Sequence, residues 1–269
     1  MSSEALATKP DLTRPGAAPG TGMAGRYFQV MSLILLAFVL IGFSRTFYLR
    51  PIFKVPAVPW YVYVHGALMT AWIVLLVTQT SLIAARRADL HRRLGIGGAF
   101  LAVAVAVSAL LLTLTIPSLF QNGSPSPNGQ PLPFAVAYPI MWGNFGTILL
   151  FATMVPTALW MRRRPEVHKR LLLLASFAIV GPAIGRMYGF PELWGITASA
   201  PLITAIFHAL PAASALGLPM TLVAHDLLTM RRLHRATIWG VGATIATGVG
   251  FMVVMPGTAV GHAVWDALL

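Results

Sequence analysis

Seven long apolar stretches, punctuated by clusters of arginine, constrain this chain more than any other feature of it. They lie at about 27–47, 58–84, 94–116, 135–161, 168–189, 201–229 and 236–255. Each approaches the ~20 residues that cross about 30 Å of hydrocarbon at ~1.5 Å per residue. Only 10% of the 269 residues are charged, whereas 57% are hydrophobic. Soluble domains carry roughly 25% charge, so a globule this poor in it cannot clothe itself in polar groups. The apolar side chains must face lipid. The expected fold is therefore all-α, a polytopic membrane bundle of seven transmembrane helices.

The charge pattern orients that bundle. Nineteen bases against seven acids give a net charge of +12, a balance that invites a nucleic-acid reading. The bases are not spread as a stripe, however. They gather between apolar runs, at Arg86, Arg87, Arg92 and Arg93, at Arg162, Arg163, Arg164, Lys169 and Arg170, and at Arg231, Arg232 and Arg235. This is the pattern of cytoplasmic loops under the positive-inside rule, and it excludes nucleic acid as the partner in favour of the lipid bilayer. Arginine dominates the bases, which suits anchoring to lipid phosphates through a planar fork. The opposite side holds Arg45, Arg50, Lys54 and Arg186. The N-terminus is thus expected in the cytoplasm and the C-terminus outside.

Residues 1–25 are rich in Ser, Ala, Pro, Gly and Thr and read as a disordered cytoplasmic tail. They lack the pattern of a cleaved secretory signal. Residues 26–256 form the expected bundle, and 257–269 a short external tail. The 117–134 connection carries no charge and is dense in Pro, Gly and Asn, as befits an external loop. Three turns resemble one another: RRADLHRRLG, RRRPEVHKRL and RRLHRATIWG. Each sets a histidine (His91, His168, His234) at the start of a returning helix. The pattern predicts three hairpin-like repeats around a common axis, with the first span added outside. Small residues at Gly98, Ala102 and Ala106, and at Gly181 and Gly185, are spaced for close helix approach. Pro156, Pro211 and Pro219 are expected to bend their helices.

Polar residues inside spans are the candidates for chemistry, because lipid makes them expensive. His65 and His208 each lie ~10 Å from the outer surface, and Asn144 ~13 Å, by helical rise. Arg186 sits near the same side. His65, Trp72 and Gln79 recur every seven residues and share one helix face. Two neutral imidazoles from different helices at one depth fit the axial ligands of a haem b, with Arg45, Arg50, Lys54 and Arg186 near its propionates. The same layer equally fits a quinone or other small-ligand pocket, or polar contacts of purely structural use. On the inner side, His225 and Asp226 with His91, His168 and His234 offer a second cluster for a haem or divalent metal. The turn histidines have a simpler use at headgroup level. Asp226 is expected to pair with Arg231 or Arg232. The absence of cysteine excludes disulfides and thiolate chemistry. No nucleotide-binding loop, dinucleotide fingerprint or zinc-protease helix is present.

The segments YVHGALMTAWIVLLVTQTSLIAARRADLHRRLGIGGA and RRRPEVHKRLLLLASFAIVGPAIGRMYG resemble a group of poorly characterised bacterial multi-pass membrane proteins. These share an HG…W…Q span, an LHRRLG turn and an HKRL…PAIGR span, over about residues 45–240. The turn also resembles families with an R-x-x-x-HR-x-G hairpin, some of them linked to respiratory-oxidase maturation. The resemblance implies a bacterial inner-membrane location and some seven helices. It singles out His65, Trp72, Gln79, His91, His168 and Arg186, and supplies no substrate. Three functions remain open: a haem- or quinone-binding subunit with a respiratory-chain partner, a small-solute transporter or channel, and a non-catalytic assembly or scaffold protein.

Overall fold

The computed structural model describes residues 23–55, 57–121, 134–187 and 201–269, and every regular element among them is helical. Helix α1 (Met23–Phe43) widens into a π-helical turn, Ser44–Tyr48, followed by the short α2 (Arg50–Phe53). Helices α3 (Trp60–Ala84) and α4 (Ala88–Leu114) form a hairpin, and α5 (Ile116–Gln121) follows. Next come α6 (Phe134–Trp160), α7 (Pro165–Ile179) and α8 (Gly181–Met187). The chain closes with α9 (Pro201–Met230), α10 (Arg235–Val249), a second π-turn (Gly250–Val254) and α11 (Ala259–Leu268). Residues 1–22 of the expected tail and 122–133 of the expected loop lie outside the described residues.

Among the described residues, five helices are long and apolar enough to cross a membrane, or six if α7 and α8 count as one span bent by 43°. Their outward faces are apolar: Phe100 is 75% exposed, Trp239 77% and Trp160 80%. Such surfaces are costly in water and at home in hydrocarbon.

Helix α7 is the axis. Leu171, Leu173, Leu174, Ala175, Ser176, Phe177 and Ile179 are all buried, because the run LLLLASFAI is apolar all round. α6, α10, α9 and α1 pack on it. The fifth span, expected as the returning helix of the second hairpin, pairs with α6 and also meets α1, α9 and α10, and the first span, expected outside the hairpins, packs among them. α1 lies against α3, α7, α8 and α9, burying Phe28, Met31, Ser32, Leu35 and Val39. Polar pairs stitch it in place: Ser32 Oγ with Thr80 Oγ1 at 2.9 Å, and Tyr27 Oη with Thr221 Oγ1 at 2.9 Å. Hydrogen bonds between spans of this kind replace the hydrophobic drive that lipid removes.

Close approach is marked at several glycines. A Cβ on Gly98 would stand 2.8 Å from Leu75 Cδ2, so the small ladder on α4 does seat α3. At Gly42 a Cβ would overlap the carbonyl of Ala183, and at Gly240 it would overlap Leu174. Gly181 and Gly185 face open space instead, contrary to expectation, because the helix breaks at Val180 and Pro182 starts a new one. The prolines of α6 and α9 sit within unbroken helices. The stretch after 257 is a helix, not merely a tail. Thr258 caps it, its Oγ1 accepting from Gly261 N at 3.0 Å, and Trp265 docks edge-on against Tyr138 with ring centroids 5.4 Å apart.

Candidate functional site

The arginine-rich turns α3–α4, α6–α7 and α9–α10 converge at one end of the bundle, and two neighbouring arrangements occupy that end. The first is a small recess of about 70 Å3 lined by Phe28, Leu76, Gln79, Thr80, His91, His168, Lys169, Leu172 and Leu173. Its walls are mostly aliphatic and aromatic. Two of the three turn histidines meet there: His91 and His168 stand edge to face, centroids 6.3 Å apart at 87°.

Their hydrogen bonds set their protonation pattern. His168 Nδ1 donates to the carbonyl of Ala158 at 2.8 Å, leaving Nε2 as an acceptor in the neutral ring. The Gln79 amide, oriented to satisfy its neighbours, donates to His91 Nδ1 and to the His91 carbonyl while accepting from Gly95 N. His91 therefore carries its proton on Nε2. One ring offers a donor and the other an acceptor on the same wall. Lys169 is held beside them, its Nζ 2.7 Å from Glu166 Oε1 and 4.7 Å from the centroid of the Phe28 ring.

The second arrangement is a buried ionic lock. Arg170 is 1% exposed and Asp226 0%. Asp226 Oδ1 accepts from Arg170 Nε at 3.1 Å and Nη2 at 2.6 Å. Its Oδ2 accepts from His234 N at 3.0 Å and from the Thr237 hydroxyl at 2.5 Å. Arg170 Nη1 turns back to the Glu166 carbonyl at 3.0 Å and to its carboxylate. Asp226 thus pairs with Arg170, and not with Arg231 or Arg232 as the sequence order predicts. Arg231, just past the end of α9, has a left-handed φ of 55° and is exposed. His225, next along, stacks on Tyr27 with centroids 4.2 Å apart and 10° between planes. His234 caps α10: its Nδ1 accepts from Ala236 N at 3.1 Å. Burial, then the charge of Arg170, holds its imidazole below the ordinary histidine range. His91, His168, His225, Asp226 and His234 are each hydrogen-bonded or stacked with protein, and among the described residues no group of three or more His, Cys, Asp or Glu is placed to hold a metal ion.

The residues expected at the opposite end are distributed differently. His65 Nδ1 bonds Ser108 Oγ at 3.1 Å, and Arg186 is close enough to act on it electrostatically. Arg186 Nη1 donates to the Pro182 carbonyl at 2.9 Å, and its guanidinium lies 4.6 Å from the Phe43 ring centroid. The side chain of His208 lies outside the described residues. Asn144 lies mid-helix, its carbonyl accepting from Thr147 Oγ1 at 2.9 Å. Trp72 is fully inside, Nε1 donating to Ser176 Oγ at 3.1 Å, ring against Phe151 at 4.9 Å. The shared face of His65, Trp72 and Gln79 does turn into the bundle, yet each meets a different partner at a different height.

Sequence reasoning counted Arg170 among the loop charges and gave Glu166 no role. Their signal was present. Glu166 and Arg170 are one turn apart on a helix whose next residues are all apolar, and Asp226 was the lone acid at a span edge. The chain matches no family model, no curated protein and no solved structure.

Proposed function

We propose that this chain is a seven-span inner-membrane protein with its N-terminus and arginine-rich turns in the cytoplasm, and that the recess beneath those turns binds the headgroup of a lipid-soluble quinol. The bent α7–α8 pair and the 30-residue α9 supply the sixth and seventh spans of that reading. The observation that carries the ligand is the His91–His168 pair. A quinol presents hydroxyls, and its oxidised form presents carbonyls, to ring edges. His168 Nε2 accepts from a hydroxyl and His91 Nε2–H donates to a carbonyl, while Phe28, Leu76, Leu172 and Leu173 receive the apolar ring. A respiratory-associated role follows from that ligand class.

The test is binding of a short-chain ubiquinol and its oxidised quinone to detergent-purified protein, read by tryptophan fluorescence. Saturable binding that falls about tenfold or more in His91→Ala and in His168→Ala, one lost hydrogen bond being worth about a factor of ten, supports the proposal. Binding indifferent to both substitutions, or absent in wild type, sinks it. Solute uptake by proteoliposomes without quinol binding would favour the transporter reading instead.

A further inference from the structure

The turn that ends the first span carries polar groups that nothing among the described residues satisfies. At Ser44–Tyr48 the helix widens: Leu49 N donates to Ser44 O at 2.7 Å, five residues back. Such π-turns recur at functional sites. Here the turn and α2 together bring Arg45, Thr46 and Arg50 inward. Arg50 is 7% exposed. Its Nη1 grips the Thr46 carbonyl at 2.7 Å, but its Nη2 is buried without a partner. So are Arg45 Nε and the Thr46 hydroxyl. A buried donor left unmade costs about 1–3 kcal/mol, more when charged. Three of them within six residues mark a missing acceptor.

The turn is rigid. Phe47 packs against Gly66, where a Cβ would come within 2.8 Å of its Cζ. Tyr48 Oη meets Thr70 Oγ1 at 2.7 Å, and the Arg50 guanidinium sits 5.8 Å from the Tyr63 ring centroid. Among the described residues no carboxylate pairs with Arg45, Arg50 or Arg186, whereas Glu166 and Asp226 are consumed at the other end. Arg186 adds a further cation beside Phe43. The apolar span that ends here covers residues Arg26–Tyr48, about 34 Å by helical rise. Its last turn therefore stands at the depth of lipid phosphates.

From these donors we infer that Arg45, Thr46 and Arg50 form a binding site for a phosphate oxyanion. Two guanidinium edges and a hydroxyl suit its several acceptor oxygens, and arginine forks match that geometry better than lysine. The depth of the turn makes an anionic phospholipid headgroup one source and free phosphate the other.

Native mass spectrometry of the full chain in detergent separates them, using dioctanoyl-phosphatidylglycerol in one arm and inorganic phosphate in the other. The expected result is saturable binding in at least one arm, reduced about tenfold or more in Arg50→Met, as loss of one charge-assisted bond implies. Thr46→Val, which preserves shape, reduces it several-fold and stands in should Arg50→Met fail to fold. Binding in the lipid arm alone assigns the headgroup, and in the phosphate arm the free ion. No binding in either arm, or wild-type affinity in Thr46→Val and Arg50→Met, overturns the site.

Discussion

Removing the Asp226 carboxylate tests the architecture most severely. It accepts four hydrogen bonds, two from Arg170 and one each from His234 N and Thr237. Asp226→Ala leaves a guanidinium 1% exposed with only Glu166 and the Met230 sulfur as partners. Breaking a buried pair from one side costs about 3–5 kcal/mol. The loss of the cap on His234 N adds to this, so the upper part of that range is expected. Arg170→Met should cost a similar amount by stranding the carboxylate. The double variant, Arg170→Met with Asp226→Leu, should recover much of the loss, because an apolar pair of like volume needs no desolvation. Equilibrium unfolding of wild type, Arg170→Met, Asp226→Leu and the double variant in mixed micelles gives the coupling energy directly. A coupling below about 0.5 kcal/mol, the size of an exposed pair, would refute the claim that these charges interact in a buried lock.

Other expectations follow from the same packing. Gly42→Ala forces a methyl into the Ala183 backbone, and overpacking of about 1–3 kcal/mol should lower the melting temperature in detergent; Gly181→Ala, which meets open space, should be neutral or slightly stabilising. Trp72→Phe removes the donor to Ser176 and should cost about 0.5–1.5 kcal/mol, read as a denaturant midpoint. His234 must stay neutral to cap Ala236 N, and its folded-state proton affinity is depressed by burial and Arg170. Its contribution is complete above the ordinary histidine range, about pH 6.5, and declines as pH falls through the lowered folded value. Melting temperature plotted against pH should show this decline, and His234→Asn should flatten it. A reduced-minus-oxidised visible spectrum of the purified protein tests the haem reading of His65 and His208; a colourless preparation would end it.

Much of the fold was legible because lipid imposes one rule on every span. Apolar runs of sufficient length fall where α1, α3, α4, α6, α7, α9 and α10 are found, and the arginine clusters mark the turns between them. The arrangement of those helices was less legible. That α7 is the axis depends on its being apolar all round, a property it shares in sequence with lipid-facing helices, since hydropathy does not tell protein from lipid. The break at Val180 was hidden because a proline one residue into a new helix reads the same as one inside an old helix. For the site, His91 and His168 were visible as a repeated turn element. Their meeting was not, because sequence periodicity fixes a face and not the helix it faces. Asp226 illustrates the same limit: the nearest arginines along the chain were the wrong partners, because the turn after Met230 directs them outward.

The buried lock also bears on how the three turns find their register. Arg170 stands at the first turns of the central helix, and Asp226 near the last turns of α9. Lipid supplies no hydrophobic drive to choose among the heights at which two apolar helices slide past each other. A single charged pair does choose, because any shift of one turn, about 5.4 Å, strands both ions in hydrocarbon. The pair therefore fixes α9 against α7 at one height. The same carboxylate, through His234 N and Thr237, fixes the start of α10. One aspartate thus aligns three helices. Lys169, adjacent in sequence and bound to the same Glu166, and His168 before it are held in the recess wall by that alignment. If this is correct, Asp226→Ala should weaken quinol binding at a site it does not touch, while Asp226→Asn, which keeps the acceptor oxygen, should weaken it less.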